Sequence, residues 1–165
     1  MLSEGRFWRV LPLMLVAHAL QTTWLAPLRL GVAQLDLPFL VALATALWGG
    51  VGRGALAGAG AGYLAGLAAL WHPGSFLVSR LVPCLVVGAL APRVRVTNFF
   101  APILAAALGA LLADAFYVLL SPGDLPWKYW RVHAPESVLL HALAIWPVFW
   151  LVGRVVRPPK QLMFG

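Results

Sequence analysis

The fold turns on one stretch, GRGALAGAGAGYLAG, running from Gly52 to Gly66. Its opening, Gly52-Arg53-Gly54-Ala55-Leu56-Ala57, fits the G-x-G-x-x-A form of a dinucleotide-binding loop. Such a loop cradles phosphate between a strand and a helix. The flanks argue otherwise. The preceding FLVALATALWGG is long and rich in alanine and leucine, so it reads as a helix, and no acidic residue follows at the spacing the ribose contact needs. The Gly-Lys-Ser or Gly-Lys-Thr of a P-loop is absent as well. Read as a helix, the stretch is regular. Gly54, Gly58, Gly62 and Gly66 recur every fourth residue beside Ala57, Ala61 and Ala65. Overlapping G-x-x-x-G steps form a nearly straight, slowly drifting groove. In lipid there is little hydrophobic drive between helices, so close backbone approach is the main attraction. The spacing predicts a packing groove that holds a neighbouring helix, either inside the fold, which the need of six short helices for a tight centre favours, or from a partner.

Composition sets the solvent. Of 165 residues, 62% are hydrophobic and 10% charged, with a mean hydropathy of +0.88. A soluble domain carries about 25% charged residues, and a globule this small must show polar surface to water. The expected class is therefore an all-α integral membrane protein of one domain. The single cysteine, Cys84, excludes an internal disulfide and a cysteine metal cluster, and its apolar setting reads as a packed thiol.

Six apolar stretches are expected as spans: residues 7–27, 36–51, 54–71, 75–91, 98–120 and 135–156, with a cytoplasmic tail at 157–165. The shorter ones fit by tilt or local thinning of the bilayer. Turn or helix-start chemistry marks the breaks, as at Gly49-Gly50, His72-Pro73-Gly74, Ser121-Pro122-Gly123 and Pro135. With a cytoplasmic amino terminus, eight basic residues fall inside (Arg6, Arg9, Arg53, Arg93, Arg95, Arg154, Arg157, Lys160) and three outside (Arg29, Lys128, Arg131). That asymmetry puts both termini in the cytoplasm. The net charge of +7 is then a topology signal with some attraction for anionic lipid, not a nucleic-acid footprint. Ala17-His18-Ala19 resembles a signal-peptide cleavage site, but the apolar run continues to Pro27, so an uncleaved span is expected. The longest break, residues 121–134, carries Trp127, Tyr129 and Trp130, which read as interfacial anchors.

Ionisable groups at membrane depth are costly and usually paired. Counted from the outer ends of their spans, Gln21, Arg80, Asp114 and His141 reach a common depth of about 8 to 9 Å at 1.5 Å per residue, with His18 one turn deeper. They form a candidate buried polar cluster. The simplest expectation is an Arg80–Asp114 pair holding two helices together; the functional alternatives are a polar ligand cavity or a proton relay. Catalytic constellations are missing. There is no G-x-S-x-G elbow and no H-E-x-x-H pair, and the five acidic residues show no metal-ligand spacing. No enzyme activity, cofactor or metal is expected.

The chain resembles the MreD family of bacterial rod shape-determining proteins. The resemblance rests on ALQTTWLAPL at the end of the first span, LDLPFLVALATALWGG with its acidic opening of the second, and the turn VGRGALAGAGAGYLAGL into a glycine-rich third. It covers roughly Ala19 to Leu67; beyond that the likeness is of architecture. The chain departs from the family at AALWHPG, where relatives carry an acidic residue, at Asp36-Leu37-Pro38, where they have Pro-Asp, and at His141, where they often have Asn. The resemblance implies a multi-pass inner-membrane scaffold without enzymatic activity. It would bind the bitopic protein MreC and, indirectly, serve MreB filaments and the RodA–penicillin-binding protein synthase. It also implies a bundle similar to the substrate-binding S components of energy-coupling-factor vitamin transporters. A transporter S component is accordingly the alternative function.

Overall fold

The computed structural model describes residues 7–27, 29–70, 72–94, 98–121 and 127–156, with side chains described for all but 29, 30 and 127–129. The expected tail at 157–165 and the topology marks Arg6, Arg95, Arg157 and Lys160 lie outside these residues, and the side chains of Arg29, Trp127, Lys128 and Tyr129 are likewise undescribed.

The elements in order are α1 (Val10–Thr23), a short ladder of β1 (Arg29–Leu30) and β2 (Ala33–Gln34), α2 (Leu37–Ala69), α3 (Pro73–Leu90), a 3-10 turn (Ala91–Arg93), α4 (Phe100–Leu120) and α5 (Trp127–Val156). The ladder is antiparallel, pairing Arg29 with Gln34 and Leu30 with Ala33 around Gly31 at φ +58°. Four helices, α2 to α5, are long and apolar enough to cross a membrane. Leu11, Leu15, Leu56, Tyr63, Leu67, Leu104, Leu119, Leu143 and Trp150 point outward from the bundle. That much large apolar surface suits lipid and not water.

The helix α2 is not a rod. At Gly50 the backbone adopts φ 74° and ψ −167°, a conformation that side-chain-bearing residues rarely reach. The chain then doubles back. A Cβ built on Gly54 would lie 2.6 Å from the Cβ of Ala46, whereas eight residues of straight helix rise about 12 Å. The two limbs, residues 37–49 and 51–69, are about 20 and 28 Å long at 1.5 Å per residue. The first limb is the hub. Every residue from Pro38 to Leu47 is buried, and Thr45, fully enclosed, returns its hydroxyl proton to the Val41 carbonyl at 2.7 Å. A helix apolar all round belongs in the middle of a bundle. Leu43 meets Gly109 of α4, and Trp48 stacks on Phe149 of α5 at 5.0 Å.

Counting both limbs, six helical segments run between two ends. At one end the Gly50 turn touches Gly88 of α3, and Trp48 meets Gly153 of α5. At the other, Ser75 Oγ donates to the Leu120 carbonyl at 3.0 Å, and the Val32 amide donates to Glu136 Oε2 at 2.9 Å. The last helix begins at Trp127, not at Pro135. Proline was read as a helix opener, but here it lies inside α5. The turn before it is held by packing, with Ala134 buried and Trp130 and His133 lining a partly open cavity. Tertiary contact thus carries the helix through a residue that removes one backbone bond.

Candidate functional site

The site is built on the first turn of α2. Helix starts leave backbone amides without partners, and inside a membrane each must be satisfied by protein. Asp36 is the N-cap, and its Oδ1 accepts from the Phe39 amide at 3.0 Å. Leu37 donates to Gln21 Oε1 of α1 at 2.6 Å. The amide of Asp36 donates to His141 Nε2 of α5 at 3.2 Å. Pro38 has no amide proton, and Leu40 begins the regular ladder by donating to the Asp36 carbonyl at 3.0 Å. The whole first turn is therefore satisfied by side chains from α1 and α5 and by its own cap.

The second oxygen of Asp36 pairs with Arg80 of α3. Oδ2 accepts from Nε at 3.2 Å and from Nη2 at 3.1 Å. Arg80 Nη1 donates to Ser79 Oγ at 2.7 Å, and the guanidinium lies 4.9 Å from the centre of the Phe76 ring. The Arg80–Asp114 pair expected from depth is thus corrected to Arg80–Asp36. Depth counting fixes how far a residue sits along the bundle, not the direction it faces. The carboxylate of Asp36 is already held at the cap, where the helix dipole favours negative charge, and Arg80 faces it.

The glycine groove creates this alignment. A Cβ on Gly58 would lie 2.7 Å from the Arg80 carbonyl and 2.8 Å from Cys84 Cβ. One on Gly62 would lie 2.6 Å from Leu77 Cα, and one on Gly66 would lie 2.9 Å from Pro73 Cα. Gly54 faces Ala46 and the Cys84 carbonyl. The helix in the groove is α3, its backbone pressed against the glycines.

His141 is committed to the architecture. Its Nδ1 lies 2.7 Å from the Ser137 carbonyl and so must donate, while Nε2 accepts from Asp36. These partners assign the Nδ1–H tautomer. Ser137 Oγ stands 3.5 Å from Nδ1, but that nitrogen is engaged by the carbonyl, so the pair is no nucleophile–base couple.

Gln21, Arg80, Asp114 and His141 all line one cavity of about 400 Å³. His18 lines it too, together with three residues the sequence reading left out of the cluster: Asp36, His133 and Ser137. Asp36 carried a usable signal, an acidic N-cap two residues before proline at the head of an apolar run. His133 fell in a segment read as loop. Asp114, on α4, stands apart from the lock around Asp36. Its Oδ2 is buried and accepts no hydrogen bond among the described residues; His133 Nδ1 is 3.4 Å away. A second cavity of about 220 Å³ shares Asp114, His133, Phe76 and Arg80 with the first and adds Tyr117 and Trp130. Among the described residues no group of three His, Cys, Asp or Glu could hold a metal ion. No family model matches the chain, and neither does a curated protein or a solved structure.

Proposed function

We propose that the chain is a non-enzymatic scaffold subunit of the bacterial cell-elongation complex, acting as MreD proteins do. In this reading all six helical segments cross the inner membrane in a bundle like that of transporter S components, with both termini in the cytoplasm. One observation carries it. Two of the motifs behind the resemblance, the Gln-Thr-Thr element and the acidic opening of the second span, meet in space: Gln21 Oε1 receives the Leu37 amide at 2.6 Å. Residues that resemble a family only as separate strings here form one joint, which supports a shared architecture. The orientation is favoured by Arg53, Arg93 and Arg154, which belong to the end of the bundle marked by the Gly50 turn, the 3-10 turn and the close of α5. The scaffold binds MreC and thereby helps couple MreB filaments to the RodA–penicillin-binding protein synthase. Deleting the gene in a rod-shaped host should give round or lytic cells, and affinity purification from native membranes should recover MreC. Rod-shaped deletion cells with normal wall synthesis contradict the reading.

A second reading has its own observation. A partly open cavity of about 400 Å³ with both polar and apolar side chains in its wall falls within the usual size of small-molecule pockets, about 300 to 1,000 Å³, and favours a ligand-binding subunit of the S-component kind. Native mass spectrometry of gently purified protein separates the two: a stoichiometric small molecule supports binding, and its repeated absence supports the scaffold alone.

A further inference from the structure

The carboxylates and the arginine in the wall of the larger cavity are already paired within the protein. Asp36 meets Arg80 at 3.1 Å, and Asp114 meets His133 Nδ1 at 3.4 Å. His141 is engaged at both ring nitrogens, by the Ser137 carbonyl and the Asp36 amide. An ion entering the cavity would give up its hydration and find these charges partnered, which disfavours a charged occupant.

What the wall still offers is neutral hydrogen bonding from α1. His18, Gln21 and Thr22 line the cavity, and their i, i+3, i+4 spacing sets them on one face of the helix. Gln21 Oε1 receives the Leu37 amide at 2.6 Å. That bond fixes the orientation of the carboxamide and leaves its –NH2 as the group for a ligand. Thr22 Oγ1 directs its proton to the His18 carbonyl at 3.0 Å, so toward a ligand its oxygen can only accept. Two successive residues thus present one donor and one acceptor. The rest of the wall includes Ala65, Ala68 and Ala69 of α2 and Ala110 and Ala113 of α4. Each set again shares one helix face, and methyl groups there leave room that larger side chains would fill.

We propose that this cavity binds an uncharged small molecule bearing a carboxamide or lactam group. Its carbonyl accepts from the Gln21 amide nitrogen, its N–H donates to Thr22 Oγ1, and its apolar body lies along the alanines of α2 and α4. A carboxamide is the simplest neutral group that carries a strong acceptor and a donor side by side. The alanine faces exclude water from the apolar body of the ligand, which supplies the hydrophobic part of the binding. The proposal rests on the ligand-binding reading above and names the class of molecule that the site takes.

Four probes of similar shape test it: benzamide; acetophenone, which keeps the carbonyl and lacks the N–H; benzoate; and benzylamine, a cation at neutral pH. Each is titrated against the full chain in nanodiscs by calorimetry and by saturation-transfer NMR. Benzamide should bind saturably, acetophenone several-fold more weakly, and the two ions weaker than benzamide by about tenfold or more. Gln21→Glu keeps an acceptor for the Leu37 amide and removes the donor, so it should weaken benzamide by about tenfold or more. Thr22→Val should weaken benzamide and leave acetophenone unchanged, a selectivity that a loss of folding would not produce. It decides the matter if Gln21→Glu does not fold. Ala65→Leu, which fills the apolar side, should abolish binding of both. Saturable preference for benzoate or benzylamine, no saturable binding of any probe, or benzamide binding indifferent to folded Gln21→Glu or Thr22→Val overturns the proposal. Native mass spectrometry distinguishes this from failure of the ligand-binding reading. A stoichiometric co-purified ion leaves that reading standing and ends this proposal, whereas no bound probe and no co-purified molecule ends both.

Discussion

Asp36 Oδ2 lies 3.1 Å from Arg80 Nη2, while the other oxygen of the same carboxylate caps the helix at Phe39. One side chain thus closes a helix end and joins two helices. The two roles separate by substitution. Asp36→Asn keeps a good cap and loses the charge; Asp36→Ala loses both, with the cap alone worth about 1 kcal/mol. Arg80→Gln should cost roughly 3 kcal/mol by leaving a buried carboxylate unpaired. A double-mutant cycle on unfolding should show coupling of about 0.5 to 3 kcal/mol between Asp36→Asn and Arg80→Gln. Asp114→Asn should be closer to additive with Arg80→Gln. Strong coupling to Asp114 and none to Asp36 would reverse the pairing.

The glycines differ in what they face, and mutants should sort accordingly. Gly58→Ala places a methyl 2.7 Å from the Arg80 carbonyl, which should cost about 1 to 3 kcal/mol as overpacking. Gly58→Leu or Gly62→Leu should prevent stable folding. Among the described residues Gly60 faces only Met14 Sδ at 3.3 Å, the far end of a flexible side chain. Gly60→Ala should therefore be neutral or gain up to about 1 kcal/mol from helix propensity. Thermal unfolding in one detergent ranks the series.

The ring of His141 is assigned by its partners, so its tautomer is a direct readout. Nitrogen-15 NMR of labelled protein should show a protonated Nδ1 and an unprotonated Nε2. His141→Phe should cost about 1 to 3 kcal/mol, because the Asp36 amide loses its acceptor. An Nε2–H signal in folded protein contradicts the lock.

Cys84 packs beneath Gly58 and is fully buried. A membrane-permeant maleimide should leave it unlabelled in the folded protein and label it fully in denaturing detergent. Rapid labelling of the folded form would mean that α3 leaves the groove.

The parts legible in the sequence are those written in local pattern. The glycine period at Gly54, Gly58, Gly62 and Gly66 speaks of close helix approach because small residues at that spacing have little other use in lipid. The Gly49-Gly50 pair marks a reversal because positive φ favours glycine. Long apolar runs announce membrane-crossing helices. The polar cluster was half legible. Depth along a helix can be counted, so Gln21, Arg80, Asp114 and His141 could be grouped. Azimuth depends on how helices turn against one another, so the partner of Arg80 could not be counted out. Asp36 was visible as a helix opener, yet its link to Arg80 spans 44 positions. The early start of α5 was hidden by Pro135, since local chemistry says stop there and only packing says continue.

The joint at Asp36 also sets an order of assembly. Its acceptor on His141 lies 105 positions downstream, on α5, which leaves the ribosome after the other described helices. Until α5 is in place, the head of the hub helix holds an amide with no protein acceptor, and lipid offers none. If the hub lies in a membrane, that end is expected to wait at the water boundary during synthesis, with the hub seated only when α5 arrives. A chain truncated before His141 should accordingly insert with its second segment shallow and accessible, and a separately supplied α5 should draw it in.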